Sequence, residues 1–305
     1  MIISIKTELK TWFHTGMILF TVLFIWGSFI IFALFSISAL RTKYQSFEHL
    51  EQLISDDKRF EQLLQEPLYD KNGDVNSFLW KKLEIEEMIK SLAPRNAFAL
   101  CVGVGFYTLP LIMTVIGAMT IFLDVSSNVK RIRASREGKW RYFLSKQAVM
   151  LTLAEILTFI SISLYMAISH LVFNRAIDIV TSKYIVISDA RHTDLRKVIL
   201  QALFLIICQI IFMEIGFSIT FILKLPVVPV TFTGLIWFFN VIPTAYEPKN
   251  AVYAIATRIS DFCGAVPNGI TSYIPLHVAT LIVVLMFIIP ITALILFWEK
   301  KSAYN

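Results

Sequence analysis

Glu155 and Glu214 each lie deep inside a long apolar run. A charge at such depth costs roughly 2.5–3.5 kcal/mol on membrane-insertion scales, so each carboxylate needs a reason. Glu155 stands eight residues into one run and Glu214 nine residues before the end of the next. At about 1.5 Å per helical residue both are about 12–14 Å deep, at one height on adjacent helices. With Gln201, Gln209 and Asn240 they are candidates to line a polar cavity or translocation path. The alternative is a structural role, as neutral groups or hydrogen-bonded to a neighbouring helix.

Other chemistries leave no trace. A phosphate-binding G-x-x-x-x-G-K-[ST] is absent, since Gly138-Lys139 is followed by Trp140 and Arg133 stands where the upstream glycine belongs. H-E-x-x-H and G-x-S-x-G are absent too, and His14, His49, His170, His192 and His277 are scattered. Cys101, Cys208 and Cys263 have neither the pairing nor the spacing of a disulfide framework or a metal site. Neither catalytic nor metal-ligating residues are expected, and no cofactor in this chain.

The elements that position the carboxylates follow from composition. The 305 residues are 56% hydrophobic and only 16% charged, with a mean hydropathy of +0.68. That is the composition of an all-α integral membrane protein rather than a soluble domain. Six runs are long enough to cross about 30 Å of hydrocarbon, at 17–40, 97–123, 147–173, 198–223, 227–243 and 275–298. The first lacks the features of a cleaved signal peptide and is expected to be retained.

Orientation comes from the 124–146 loop, where Lys130, Arg131, Arg133, Arg136, Lys139, Arg141 and Lys146 face only Asp124 and Glu137. Short Lys/Arg-rich loops stay cytoplasmic. Both termini then fall inside, and that face carries twelve basic residues against four acids, while the outer face balances sixteen against sixteen. The net +6 is therefore an orientation signal, and nucleic acid is not an expected partner. Anionic lipid headgroups are an expected contact of the basic loop.

Residues 2–13 read as an amphipathic interface helix, with Ile2, Ile5, Leu9, Trp12 and Phe13 on an apolar side and Lys6, Glu8 and Lys10 opposite. Trp12 is expected at headgroup depth. Residues 41–96 form an external helical loop divided by Lys71-Asn72-Gly73-Asp74, with Pro94 ending its last helix. At roughly 55 residues it is too small to bury a strong core alone. The 174–197 loop carries Tyr184-Ile185-Val186-Ile187, a possible short strand. The fifth run is only 17 residues, and 244–274 is Gly/Pro-interrupted, which fits a re-entrant segment before the last span. Pro110, Pro229 and Pro290 lie at or near mid-span. All of 1–305 reads as one transmembrane domain.

Across its length this layout resembles a type 2 ATP-binding-cassette (ABC) exporter permease. Lys6-Thr7-Glu8-Leu9-Lys10 resembles the family's K-x-E-[LF]-K interface helix. Asp124, the stretch Val129 to Trp140 and Lys146 stand where the family's coupling region begins, forms a short helix and ends. The final Phe297-Trp298-Glu299-Lys300-Lys301 is similar as well. Ser127-Asn128 and Arg136 depart from the Gly-Thr and Pro that members often carry.

The resemblance implies a non-catalytic permease in the plasma membrane, working as a homodimer or with a second permease. ATP and Mg would be held by a separate ABC ATPase. Asp124, Val129, Lys130, Arg131, Arg133, Arg136, Glu137 and Trp140 would couple to that ATPase, and Ile5, Lys6, Glu8, Leu9 and Trp12 would form the interface helix. The cargo would be an amphiphile, a peptide, lipid or drug-like molecule, with antimicrobial-peptide export or resistance as one role. The rivals are an ion-coupled carrier using Glu155 and Glu214, and an immunity or sensor protein whose 41–96 loop binds an external peptide.

Overall fold

A computed structural model describes residues 2–54, 57–69, 75–126, 135, 138–188, 194–238, 246–262 and 274–302. They form ten α-helices and a 3₁₀ turn at Pro94–Asn96. The helices are α1 (Ile2–His14), α2 (Met17–Leu53), α3 (Asp57–Gln65), α4 (Ser77–Leu92) and α5 (Ala97–Ser126), followed by α6 (Lys139–Ile177), α7 (Leu195–Leu223), α8 (Val227–Phe238), α9 (Pro248–Ile259) and α10 (Leu276–Ser302). No strand occurs among the described residues, where the only bridge is Tyr69 to Val75. The Tyr184–Ile187 run is turn and extended backbone instead, because its polar groups find side-chain partners: the Val186 N–H donates to Glu86 Oε1 at 2.9 Å.

Helices α2, α5, α6, α7 and α10 are long and apolar enough to cross a bilayer, which marks a multi-pass membrane protein. They match five of the six expected spans. Of the 227–243 run, residues 227–238 form α8, about 18 Å of helix, and 239–243 lie outside the described residues. Helix α2 also continues 13 residues beyond its apolar run, carrying the chain out of the membrane as far as Leu53.

Beyond the membrane, the α2 extension, α3 and α4 share one small core. Phe60 sits at its centre, with ring centroids 5.8 Å from Phe47, 6.0 Å from Phe78 and 5.1 Å from Tyr184. Tyr184 comes from the second loop, which supplies the surface that 41–96 cannot provide alone. The Tyr44 hydroxyl fastens the same seam, 2.9 Å from Thr181 Oγ1 and accepting from the Thr181 N–H at 3.1 Å. Asn76 caps α4, accepting from the N–H groups of Phe78 and Leu79, while its amide donates to Leu63 O at 2.6 Å. Leu92 is the last residue of α4, as the position of Pro94 requires. The Lys71–Asp74 turn lies outside the described residues.

The centre of the bundle is the α5–α7 contact. A Cβ on Gly117 would stand 2.1 Å from Met213 O, and one on Gly216 would stand 2.1 Å from Thr114 O. Each glycine thus sits against the other helix's backbone, the small-residue contact that membrane helices use when apolar burial gives no net drive.

Proline placement follows backbone accounting. Pro110 lies inside α5 and cannot donate to Phe106 O, and the Trp237 indole N–H of α8 donates to that carbonyl instead at 3.2 Å. Pro229 is not mid-span: it is the third residue of α8, where its missing N–H has no intrahelical acceptor anyway. Pro290 is inside α10.

Helix α1 corrects the expectation of a lipid-facing stripe. Trp12 is 2% exposed and packs in the protein core, with Ile5 and Leu9 half-buried beside it. Glu8 belongs to this inward face rather than to the solvated one with Lys6 and Lys10. Phe13 is outward.

Gly117→Ala and Gly216→Ala should each lower stability by about 1–3 kcal/mol through overpacking. Gly27→Ala, whose Cβ meets nothing within 4 Å, should be neutral. Thermal denaturation of detergent-purified protein reads the difference, and equal melting of all three variants would refute the close crossing.

Candidate functional site

The most concentrated electrostatic site is at the α1 end of the bundle, where α1, α5 and α6 meet. Lys146 is 1% exposed, and its Nζ lies 2.8 Å from Asp124 Oδ2 and 3.2 Å from Glu8 Oε2. The Tyr142 hydroxyl donates to the same Asp124 oxygen at 2.7 Å. Asp124 is near the end of α5, Lys146 is two turns into α6, and Glu8 is on the inward face of α1.

Buried charge of this kind persists only when paired and hydrogen-bonded. Two carboxylates around one ammonium leave the cluster formally −1, and the phenol and further contacts of Glu8 and Asp124 share that charge. The three residues come from segments far apart in sequence, so the network fixes α1 against the two helices that bracket the 124–146 loop. Glu8 and Asp124 were legible as candidates. Their meeting at Lys146 was not, because nothing in the spacing says that α1 faces inward.

Within the expected coupling segment, Val129, Lys130, Arg131, Arg133, Arg136 and Glu137 lie outside the described residues. Asp124 and Trp140 frame it. Trp140 is 53% exposed and meets the Phe143 ring edge-on, with centroids 6.3 Å apart. The ring of Phe143 in turn contacts Trp298 of α10 and Phe217 of α7.

Of the five residues expected along a path, the four that are described, Glu155, Gln201, Gln209 and Glu214, each have different surroundings. Gln147 Nε2 donates to Glu214 Oε2 at 3.0 Å. The Thr158 hydroxyl is 3.1 Å from Gln209 Oε1 and 2.9 Å from Ala154 O. Gln201 donates to Ala256 O and Ser260 O at 3.2 and 3.0 Å, holding the C-terminal carbonyls of α9 against α7. Asn240 lies outside the described residues.

Glu155 stands apart: both its carboxylate oxygens are buried, and neither has a hydrogen-bond partner among the described residues. Glu214 pairs with Gln147, and Thr158, one turn beyond Glu155, reaches Gln209 instead.

Sequence reasoning missed Gln147 and Thr158, which supply the partners, and the buried pair Glu247 and Tyr253. Glu247 Oε1 and the Tyr253 hydroxyl are both buried without a hydrogen-bond partner among the described residues. A signal was available, since Glu247 and Lys249 interrupt an apolar stretch and both are buried. Among the described residues no three His, Cys, Asp or Glu side chains converge as metal ligands.

Lys146→Met removes the cation between two buried carboxylates and should cost about 3–5 kcal/mol, the scale for breaking a buried pair from one side. Glu8→Gln should cost less, because Asp124 still holds the ammonium. Thermal melting of both variants decides, and a Lys146→Met protein as stable as the parent would show that the network holds nothing. No protein-family model, curated protein or solved structure matches this chain, so the reading of the site rests on its own geometry and chemistry.

Proposed function

We propose that the chain is the transmembrane permease subunit of an ABC exporter, moving an amphiphile while a separate ATPase hydrolyses ATP with Mg. The observation that carries this reading is the Glu8–Lys146–Asp124 network. It joins the two ends of the basic loop to α1. A force applied to that loop therefore reaches α5, α6 and α1 as one body. The phosphate loop that would let the chain hydrolyse ATP itself is absent from its sequence.

In this reading both termini are cytoplasmic, the membrane is the plasma membrane, and two permeases pair. Six crossings are supported by helix direction. Phe221 near the end of α7 meets Phe297 and Trp298 near the end of α10, so these two helices run parallel and the chain between them has to return. Helix α8 makes the first part of that return, and α9 forms the re-entrant element, its end held by Gln201.

Charge reversal at Arg131, Arg133 and Arg136 should abolish stimulation of a co-reconstituted partner ATPase while leaving membrane insertion unchanged. The partner is sought by co-purification from the source membrane. Undiminished stimulation by the triple variant defeats the docking claim.

A second reading, an ion-coupled carrier, is favoured by one observation: the unpartnered buried carboxylate of Glu155. Here Glu155→Gln should abolish accumulation driven by a proton gradient, whereas Glu214→Gln, which preserves a hydrogen bond to Gln147, should only slow it. Uptake in vesicles with an imposed gradient and no ATP separates the readings. If both variants leave transport intact, neither glutamate is functional.

A further inference from the structure

Helices α7, α8, α9 and α10 line a cavity of about 380 Å³. Phe212 and Ile215 of α7 form one wall, Trp237 of α8 the floor, and Leu285, Met286 and Ile289 of α10 the other wall. Its surface is almost wholly apolar. Among the described lining residues Thr233 alone has a side-chain hydroxyl, and that hydroxyl is engaged with Thr114 at 3.2 Å. The Trp237 N–H is likewise committed, to Phe106 O.

Water needs two to four polar partners to occupy a cavity, so this one excludes it. Its volume is roughly two and a half times the ~150 Å³ at which a dry apolar cavity already binds benzene. Left empty, its walls would forfeit dispersion contacts along their whole length.

What fills it follows from where it opens. Phe232, Leu285 and Ile289 line the cavity and are also among the exposed apolar side chains, on helices whose outer faces are otherwise exposed apolar surface. The mouth therefore faces the hydrocarbon of the bilayer, between α8 and α10. Across it Trp237 and Phe232 of α8 face Leu285, Met286, Ile289 and Pro290 of α10.

We propose that this cavity is a binding site for one acyl chain of a membrane phospholipid, which enters sideways between α8 and α10 and contacts the Trp237 ring. The headgroup stays outside at the bilayer surface. The site stands whether or not the chain works with an ATPase, since it rests on the cavity alone.

The test uses brominated lipid, which quenches indole fluorescence on contact. Trp237 is 1% exposed, so lipid around the protein does not reach it without entering the cavity. In full-length protein with Trp12, Trp26, Trp80, Trp140 and Trp298 replaced by Phe, Trp237 emission should be lost in vesicles of dibrominated phosphatidylcholine relative to unbrominated ones. Leu285→Phe with Ile289→Phe, which narrows the mouth, should restore it. As a second measurement in the otherwise unaltered chain, native mass spectrometry in mild detergent should find one retained phospholipid, lost in the same double variant. Absence of quenching and of retained lipid, or quenching and retention that the double variant leaves unchanged, overturns the proposal.

Discussion

The close crossing of Gly117 and Gly216 is the constraint on which the α5, α7, α8 and α9 part of the bundle depends. A hydrogen in place of a side chain at both points lets α5 and α7 touch backbone to backbone, with the absent Cβ positions 2.1 Å from the opposite carbonyl oxygens. In a bilayer the lipid tails are as apolar as the helices, so contact area and close approach must do what water exclusion does in a soluble core. The pair then acts as a spine. Helix α8 docks on its α5 side through Thr114–Thr233 and Trp237–Phe106, and α9 on its α7 side through Gln201.

Several polar groups in the apolar interior are satisfied by the backbone or by a neighbouring helix. Phe106 O is released by Pro110 and recaptured by Trp237. Gln209 and Glu214 bond to Thr158 and Gln147 on α6. Glu155 is different: among the described residues both of its buried carboxylate oxygens are without a partner, which is why it supports a rival mechanism. The ionic network at the α1 end is of a different kind: it needs three separate segments at once, so it specifies how they meet more than it adds to stability.

Much of the fold was legible because hydrophobic length is a direct measure of bilayer thickness. The apolar runs at 17–40, 97–123, 147–173, 198–223 and 275–298 each lie within, or nearly within, a long helix. Of the run at 227–243 the described part, 227–238, is helical as well. Trp12 was misplaced because an apolar stripe looks the same whether lipid or protein covers it. Glu8 held the clue. It falls three residues after Ile5 and four before Trp12, on their face, and a carboxylate there demands a protein partner. The pairing of interior side chains was illegible, because one sequence fixes height along each helix but not the offset between helices.

Trp237 of α8 links these features. Its ring stacks on Tyr253 of α9 and meets Phe212 of α7 edge-on. On the α10 side the facing residues are Leu285, Met286 and Ile289, and the gap between them and Trp237 is the cavity. The same indole therefore closes the backbone accounting of α5 on one edge and forms the apolar floor on its face. A change in the position of α8 would alter both the Phe106 hydrogen bond and the cavity's width. Conversely, whatever fills the cavity bears on the α5–α7 spine both directly, at Phe212 and Ile215 of α7, and through Trp237, giving a membrane component mechanical contact with the centre of the bundle.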